Sequence, residues 1–372
     1  MTPDGSARAP QILAALWDCA SPCPFDEIID VRSPGEFADD HLPGAVNLPV
    51  LNDAQRAEVG TIHRREGSFA AARIGAAYIS TNIGTHLAGH FAAKGKDYKP
   101  LIYCWRGGQR SASLALVLAR IGWRTTVLAG GYKTYRAHVL RGLATAPQRF
   151  EYRVVTGATG TGKTRLLHAL AARGAQILDL ESLARHRGSV LGGSGSQPSQ
   201  KRFDSLLLAA FDRFDPRVPV WIEAESNRIG DVYLPEALWT MMRSAGGIEI
   251  RMPLNERVRY LVAEYANLFA DPSDLKEKLR RLSPKYGARQ IAAWCLAVDA
   301  GEWDALAESL LALHYDGSYA ASTERYFPNV TESVELPDAT AESVGALAEK
   351  LAGHLRIEVG EGSFIAASHR FR

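Results

Sequence analysis

The hydrophobic and polar positions of this 372-residue chain predict two successive runs of alternating strands and helices. In the first run, apolar segments at 25–31, 100–103 and 125–128 are typical of buried strands. Short helices are predicted at 11–17 and 34–39. Alternation of this kind predicts a parallel sheet with helices packed on its faces.

The second run begins with an apolar segment at 149–155 and a helical pattern directly after it. Further strands are predicted at 175–179, 218–223 and 248–254, and further helices at 203–214 and 235–244. Residues 256–315 have a helical pattern throughout, and a helix and a short strand are predicted from residue 340 onward. The predicted fold class is therefore α/β, with one parallel-sheet domain at 1–147 and a second, ending in a helical part, at 148–372.

Composition places the chain among ordinary globular proteins, with 46% hydrophobic residues, 23% charged residues and a formal net charge of +2. Four cysteines are too few for a disulfide framework, and Cys19 and Cys23 lack partners for a zinc site. Neither a signal peptide nor a membrane-spanning run is evident, so we expect a cytoplasmic protein without a membrane partner.

The segment 104–111, Cys-Trp-Arg-Gly-Gly-Gln-Arg-Ser, follows the predicted strand at 100–103 and precedes a predicted helix at 111–119. A glycine-rich loop can turn its N–H groups inward, and the helix N-terminus adds positive potential. Arg106 and Arg110 add two cations near the thiol in sequence. We therefore predict that Cys104 is a nucleophile that meets an oxyanion, with Arg106 and Arg110 in the same catalytic group.

A second loop, Gly157-Ala-Thr-Gly-Thr-Gly-Lys-Thr164, matches the phosphate-loop motif G-x-x-x-x-G-K-[ST] and lies between a predicted strand and helix. Its N–H groups are expected to cradle a diphosphate, while Lys163 reaches the terminal phosphate and the Thr164 hydroxyl is a candidate Mg²⁺ ligand. Glu223 and Glu225 end an apolar strand, where a magnesium-organising carboxylate is needed; the alternative is an ion pair with Arg228. The predicted phosphate-binding residues are Gly157, Thr159, Gly160, Thr161, Gly162, Lys163, Thr164 and Glu223.

Three other segments have open interpretations. The glycine- and serine-rich segment 186–201 is either a lid over the phosphate loop or a passive linker. The histidines and arginines of 52–96 lie either on solvated helix faces or in a patch that grips phosphate or RNA. Tyr286 lies among a cluster of basic residues that is either a solvated face or an RNA contact, namely Lys276, Lys278, Arg280, Arg281, Lys285 and Arg289.

The first domain resembles the rhodanese family. The resemblance rests on Asp30-Val-Arg32, Glu36-Phe37 and His41-Leu-Pro-Gly44-Ala-Val-Asn47, followed by the strand that ends at Cys104. It implies a parallel sheet wrapped by helices and a covalent adduct on Cys104. Five residues separate Cys104 from Arg110, as in cysteine-dependent phosphatases, and this spacing favours phosphate-like anions, including selenophosphate, beside sulfane sulfur.

Together with the phosphate-loop half, the motifs His186-Arg-Gly-Ser and Gln197-Pro-Ser-Gln-Lys201 resemble those of the tRNA 2-selenouridine synthase family. The resemblance implies a selenotransferase that converts wobble 2-thiouridine of tRNA to 2-selenouridine, with selenophosphate and geranyl diphosphate as co-substrates and an S-geranylated intermediate. It implies no prosthetic group, Mg²⁺ as a candidate ion, and a selenophosphate-producing enzyme as a candidate partner. A phosphate loop alone does not distinguish ATP from geranyl diphosphate.

Two other functions are compatible with the same motifs. The first is a cysteine-dependent phosphatase or sulfurtransferase fused to a nucleotide-binding module. The second is a non-catalytic RNA-binding protein that uses the phosphate loop as a nucleotide switch.

Overall fold

The computed structural model describes residues 12–15, 24–186 and 196–358. The chain forms two compact units: one comprises residues 1–143 and 198–209, and the other 144–197 and 210–372. The sequence-based boundary between 147 and 148 lies close to the first division. The return of 198–209 to the first unit has no counterpart in the hydrophobic pattern, which marks this segment only as the start of a helix.

The first unit contains a five-stranded, wholly parallel sheet in the order β1-β5-β4-β2-β3. Its strands are β1 Ile12–Ala15, β2 Glu27–Asp30, β3 Ala45–Asn47, β4 Pro100–Tyr103 and β5 Thr125–Leu128. Its helices are α1 Pro34–Asp39, α2 Asp53–Glu66, α3 Ser68–Ala88, α4 Gln109–Ile121 and α5 Gly131–Thr145. β4 is the central strand, so all four of its residues are buried.

The predicted helix at 11–17 is wrong, because Ile12–Ala15 forms the edge strand β1. It pairs in parallel with β5, from Ile12 opposite Thr125 to Ala15 opposite Leu128. Leucine and alanine favour a helix locally, but that preference is worth only a fraction of a kcal/mol per residue. The unpaired edge of β5 supplies backbone hydrogen bonds that decide the conformation.

A buried polar network lies beside the apolar core of the first unit. Arg32 and Asp30 form an ion pair with a 2.6 Å separation at almost zero exposure, and the guanidinium lies 4.1 Å from the Tyr132 ring centroid. Asp40 accepts hydrogen bonds from Tyr132 and from Ser205 of the returning segment, both at 2.9 Å. The Asp-Val-Arg motif therefore acts in packing, where removal of one partner would strand a buried charge.

The second unit contains another five-stranded parallel sheet, in the order β12-β11-β6-β8-β7, and a two-stranded antiparallel hairpin. The sheet strands are β6 Tyr152–Thr156, β7 Gln176–Leu178, β8 Val220–Glu223, β11 Gly246–Arg251 and β12 Val330–Glu335. The hairpin strands are β9 Arg228–Ile229 and β10 Val232–Tyr233. The central position belongs to β6, the strand that leads into the phosphate loop.

Helices cover this second sheet and continue into a helical C-terminal part, as predicted. The helices after the phosphate loop are α6 Lys163–Ala171, α7 Leu180–Ala184, α8 Gln200–Phe211, α9 Glu236–Ser244, α10 Leu254–Glu264, α11 Pro272–Arg280, α12 Ser283–Ala300, α13 Trp303–Leu310, α14 Asp316–Tyr326 and α15 Ala341–Glu358. Most of α8 lies in the segment 198–209 that belongs to the first unit. A 3-10 turn covers Ala146–Arg149, a second covers Ala266–Ala270, and a π turn covers Leu311–Tyr315.

The helical part has its own apolar core around Trp294, which is 2% exposed and packs with Leu275, Leu279 and Leu310. The C-terminal helix predicted from residue 340 is α15. The short strand predicted after it falls outside the described residues. Among the helices that the structure describes, none has the length and apolar character needed to cross a bilayer.

Candidate functional site

The Cys104 loop leaves the carboxyl end of the central strand β4, the edge of a parallel sheet where α/β proteins bind ligands. The backbone of the loop is tied to the first residues of α5, because Tyr132 N–H donates to Cys104 O at 2.8 Å and Lys133 N–H donates to Trp105 O at 3.0 Å. Cys104 is 3% exposed. The strand, the loop and α4 thus hold the thiol in an enclosed position.

Two glycines make this loop possible. Gly107 has φ +67°, and Gly131 has φ +60° in a close approach to the loop. A Cβ at Gly131 would lie 2.3 Å from Cys104 O and 2.6 Å from Gly107 N. Gly131, at the start of α5, therefore also shapes the cysteine loop.

The two predicted arginines have different surroundings. Arg110 lies in the first turn of α4 and forms a two-pronged ion pair with Glu36 of α1, with Nη1 2.6 Å from Oε2. Burial opposes ionisation of Glu36, but Arg110 and the Ser33 N–H hold its pKa below the usual value. Arg106 is exposed and makes no ion pair with any residue that the structure describes. The catalytic roles of both arginines stay predictions.

Ser111, which the sequence reasoning did not assign to the site, is the side chain in contact with the thiol. Its Oγ lies 3.2 Å from Cys104 Sγ and donates a hydrogen bond to Gly108 O at 3.1 Å. A hydroxyl can turn its proton toward a thiolate. The available signal was its position, because Ser111 directly follows Arg110 in the first turn of the helix that the loop opens.

The phosphate loop connects β6 with α6, as its motif requires. Gly157, Gly160 and Gly162 have φ values of +145°, +85° and +76°. The Thr161 hydroxyl donates to Ala158 O at 2.9 Å, and Gly157 N–H donates to Tyr319 Oη at 2.6 Å. The loop is therefore held from within and by α14, and no pattern in the sequence pointed to Tyr319.

Lys163 lies at the start of α6, and its Nζ donates to Gly157 O at 2.8 Å. The ammonium also lies 5.2 Å from the centroid of the Tyr319 ring. Burial disfavours its charge, yet Tyr319, Glu223 and Glu225 together hold its pKa above the ordinary value. Lys163 thus stays cationic in a cleft suited to an anionic ligand.

Three carboxylates converge opposite this lysine. β7 and β8 are neighbours, and β8 pairs with β6, so Glu181 and Glu223 reach the same edge of the sheet as the phosphate loop. Glu181, Glu223 and Glu225 each offer an oxygen within 4.8 Å of the others. Thr164 Oγ1 donates to Glu223 Oε1 at 2.7 Å. The alternative, in which one of these glutamates forms an ion pair with Arg228, is wrong, because Arg228 pairs with Asp231 at 3.3 Å.

Repulsion between neighbouring carboxylates adds to burial at Glu181 and Glu225. Burial and the neighbouring Glu223 raise the pKa of Glu225 to about 7. Burial, Glu223 and Glu225 together raise the pKa of Glu181 well above its ordinary value. Burial also raises the pKa of Glu223. Carboxylate and hydroxyl oxygens are the ligands that Mg²⁺ prefers. The donor set of Glu181, Glu223, Glu225 and Thr164 therefore fits this ion, and Glu181 was not among the predicted residues.

The segment 186–201 is described only at its two ends, and the predicted lid at 187–195 falls outside the described residues. Gln197 anchors its far end: Nε2 donates to Ala184 O and Ile229 O, both at 3.1 Å, and Asp231 N–H donates to Oε1 at 2.8 Å. Lys201 pairs with Asp39 at 2.6 Å within the first unit. The Gln-Pro-Ser-Gln-Lys motif is thus a structural anchor.

The helices of 52–96 contain both buried contacts and exposed cations. His86 contacts Pro49 O at 3.0 Å and His90 contacts Glu27 at 2.7 Å, so these histidines serve packing. Arg64, Arg65 and Arg73 are exposed. RNA contact by this surface stays a prediction.

In the basic cluster of the helical part, three of the six cations form ion pairs with neighbouring acids. Lys276 pairs with Asp299 at 2.6 Å, and two further cations pair within α11 and at its end, Lys278 with Asp274 and Arg281 with Glu277. The Tyr286 hydroxyl lies 2.9 Å from His314 Nδ1, and its ring packs edge-on against Trp294. Tyr286 thus contributes to the helical core, and RNA contact by this cluster also stays a prediction.

The fold and the two loops define a class of protein in which a rhodanese-like unit with a loop-borne thiol is joined to a phosphate-loop unit. Family models agree with this division. Residues 10–138 match the rhodanese-like domain, and residues 150–335 match the tRNA 2-selenouridine synthase AAA domain.

Curated relatives carry the same name. The chain is 36% identical to the tRNA 2-selenouridine synthase of Nitrosomonas europaea, over 73% of this chain and 70% of that protein. It is 31% identical to that of Sulfurovum sp., over 80% of this chain and 89% of that protein. It is also 35% identical to that of Bdellovibrio bacteriovorus, over 64% of both chains. The chain belongs to the tRNA 2-selenouridine synthase family.

Proposed function

We propose that this enzyme converts wobble 2-thiouridine of tRNA to 2-selenouridine in two steps, with geranyl diphosphate and selenophosphate as co-substrates. The observation that carries the proposal is the presence, in one chain of this family, of two different anion-binding loops. One presents a thiol, Cys104, and the other presents a cation, Lys163, opposite three carboxylates.

In the first step, the phosphate-loop unit transfers the geranyl group to sulfur. The C–O bond to the diphosphate breaks, the leaving diphosphate takes the electron pair, and a C–S bond forms at the thiocarbonyl while the N3 proton leaves to solvent. The loop N–H groups and Lys163 stabilise the charge that grows on the diphosphate. Glu181, Glu223, Glu225 and Thr164 would hold Mg²⁺, which supplies further charge neutralisation when bound.

In the second step, the rhodanese-like unit replaces the geranylthio group by selenium. The Cys104 thiolate attacks the phosphorus of selenophosphate, an S–P bond forms, and the P–Se bond breaks with its electron pair on selenium. The hydrogenselenide displaces geranylthiolate at carbon 2, and water hydrolyses the S–P bond to release phosphate. Geranylation makes the sulfur a better leaving group, which gives the two-step order a chemical reason.

The electron balance favours Cys104 as a nucleophile over Cys104 as a carrier of an S–Se bond. Selenium in selenophosphate and sulfur in a thiol are both fully reduced, so joining them would need a two-electron oxidant. Attack at phosphorus needs none. The five-residue spacing between Cys104 and Arg110 and the Ser111 contact are compatible with a phosphate-like group at the loop.

The decisive experiment incubates the enzyme with thiolated tRNA and both co-substrates, then with each omitted in turn, and analyses the nucleosides by mass spectrometry. We expect 2-selenouridine with both, and only S-geranylated nucleoside without selenophosphate. Absence of both products from the complete mixture would refute the proposal. Turnover of an aryl phosphate with no tRNA product would instead support the phosphatase alternative.

Two variants test the division of labour. Cys104→Ala should retain geranyl transfer and lose selenation, whereas Lys163→Ala should slow geranyl transfer by about 100-fold or more, because it removes a cation from the leaving diphosphate. Cys295→Ala, at the other described cysteine, is the control and should retain both steps. Loss of geranyl transfer in folded Cys104→Ala would contradict the assignment.

A further inference from the structure

A half-open apolar cavity lies in the helical part of the second unit. Its walls come from α10, α11, α13 and the turns beside them, and they include Phe269, Leu275, Trp303, Leu306 and Leu310. Among the described residues that line it, none has a charged side chain. Phe269 and Trp303 stack with their ring centroids 4.2 Å apart, which gives one wall a flat aromatic surface.

This cavity adjoins the phosphate-loop cleft. Four residues line both spaces: Thr159 of the loop itself, Leu261, Tyr265 and Tyr315. The two elements are in direct contact, because Arg257 Nε donates to Thr159 O at 2.9 Å and a Cβ at Gly160 would lie 2.9 Å from the Leu261 side chain. A ligand with its diphosphate on the loop therefore has an apolar space next to it.

The chemistry of the two spaces selects a class of ligand. A ribose and a nucleobase carry several polar groups, and burying them against a mostly aliphatic and aromatic lining that offers few hydrogen-bond partners is unfavourable. A hydrocarbon chain gains from the same burial. We propose that this cavity holds the isoprenoid chain of the diphosphate substrate and sets the length of chain that the enzyme accepts. The proposal rests on the proposed function and assigns residues to its substrate specificity.

The sequence of α13 shows how the cavity is built. Trp303, Leu306, Ala307 and Leu310 follow one another at helical spacing and line the cavity along one face. Ala307 is the smallest side chain of this row, so it leaves room where a larger residue would fill the space. Ala305 lies on the same helix but is exposed and does not line the cavity.

The test compares Ala307→Phe with the matched control Ala305→Phe, using dimethylallyl, geranyl and farnesyl diphosphates as alternative donors. One methylene in an apolar pocket changes selectivity by roughly 10- to 200-fold. Ala307→Phe should therefore lower kcat/KM for geranyl diphosphate by at least about tenfold while activity with dimethylallyl diphosphate stays near the wild-type value. Ala305→Phe should keep the wild-type order of kcat/KM values for the three donors.

A second variant and a binding measurement keep the proposal testable if Ala307→Phe folds poorly. Leu306→Ala enlarges the cavity and should raise the kcat/KM of farnesyl relative to geranyl diphosphate. Calorimetric titration should show that Ala307→Phe weakens geranyl diphosphate binding about tenfold or more but leaves inorganic pyrophosphate binding unchanged.

The outcomes separate this inference from the proposed function. If the wild type transfers geranyl groups but both cavity variants keep the wild-type donor preference, the cavity assignment is wrong and the proposed function stands. If the wild type transfers no isoprenoid from any donor, the proposed function fails and the cavity assignment fails with it. Tighter binding of ATP than of geranyl diphosphate, lost in Ala307→Phe, would also overturn the assignment.

Discussion

At the residue scale, the chemistry of this protein depends on side chains whose partners come from distant parts of the sequence. Cys104 contacts Ser111 within its own loop, but that loop is shaped by Gly131 and the following helix. Lys163 is surrounded by groups from three other segments, including Glu181 and Tyr319. The charge state and the reactivity of each group are therefore set by the fold.

Replacement of Ser111 by alanine should slow selenation. The hydroxyl lies 3.2 Å from Cys104 Sγ, and a hydrogen bond to an anion is worth about 1.5–3 kcal/mol. We expect selenation of pre-formed geranylated tRNA to slow by about 10- to 100-fold in single-turnover assays, with geranyl transfer unchanged. Ser113→Ala removes a hydroxyl that bonds only within α4, to Gln109 O, and should leave both rates unchanged. Equal rates in the two variants would contradict the role of Ser111.

Stability of the metal-free protein should fall as pH rises from about 4.5 to about 7. Folding raises the pKa of Glu225 to about 7, so in this window the native carboxyl keeps a proton that the unfolded chain loses. The loss is up to about 3 kcal/mol for this one group, and Glu225→Gln should flatten the pH dependence. Thermal melts with and without Mg²⁺ test this, and the ion should stabilise most at the higher pH. Asp304→Asn, on an exposed part of α13, is the control.

At the element scale, each site lies where a central parallel strand ends. β4 presents the cysteine loop, β6 presents the phosphate loop, and the neighbouring strand β8 presents Glu223. Helices that follow these strands, α4 and α6, direct their N-termini toward the loops, which suits anionic groups. The positions of the sites therefore depend on correct strand pairing.

Gly247 of β11 tests this dependence. Its Cβ, if present, would lie 1.9 Å from Val154 O of the central strand β6. Gly247→Ala should therefore separate the two strands and lower the free energy of unfolding by at least about 2 kcal/mol, measured by urea denaturation. Gly246→Ala is a matched control in the adjacent position, because the nearest atom to its Cβ would be 3.8 Å away. Equal stability of the two variants would show that the strands can part at no cost.

At the scale of the whole molecule, the chain combines two compact units with different chemistry. Each unit has its own parallel sheet and its own glycine-rich loop at the end of the central strand. In the proposed reaction, both units act on the same nucleoside, one after the other. The product of the first step is a stable modified tRNA, so it can pass from one enzyme molecule to another.

A mixture of Cys104→Ala and Lys163→Ala should recover 2-selenouridine formation that neither variant shows alone. Each variant keeps one intact site, so geranylated tRNA released by the first serves the second. We expect recovery to grow with protein concentration and to be slower than the wild type, followed by nucleoside mass spectrometry. The control is the double variant that carries both Cys104→Ala and Lys163→Ala, mixed with the wild type at the same total protein concentration. No recovery, with both variants active in their own half-reactions, would show that the intermediate is not released.

Much of this architecture could be predicted from local sequence. The apolar segments gave most strands, because burial on both faces of a parallel sheet leaves a readable hydrophobic run. The loop motifs at Cys104 and Gly157 correctly predicted loops between a strand and a helix, with glycines at positive φ, because such loops need particular residues at particular positions. The edge strand Ile12–Ala15 was mistaken for a helix, because its conformation depends on β5, more than one hundred residues away.

The sequence by itself determined the two loops and most of the strands and helices, and through them the family. Only the tertiary structure decided which side chains meet. Strand order brings Glu181 and Glu225 to Glu223, which contacts Thr164. The start of α5 closes over Cys104, and helices α10 and α13 line the apolar cavity beside Thr159. The physical reason is that local propensity acts over a few neighbouring residues, whereas convergence of side chains depends on how whole elements pack.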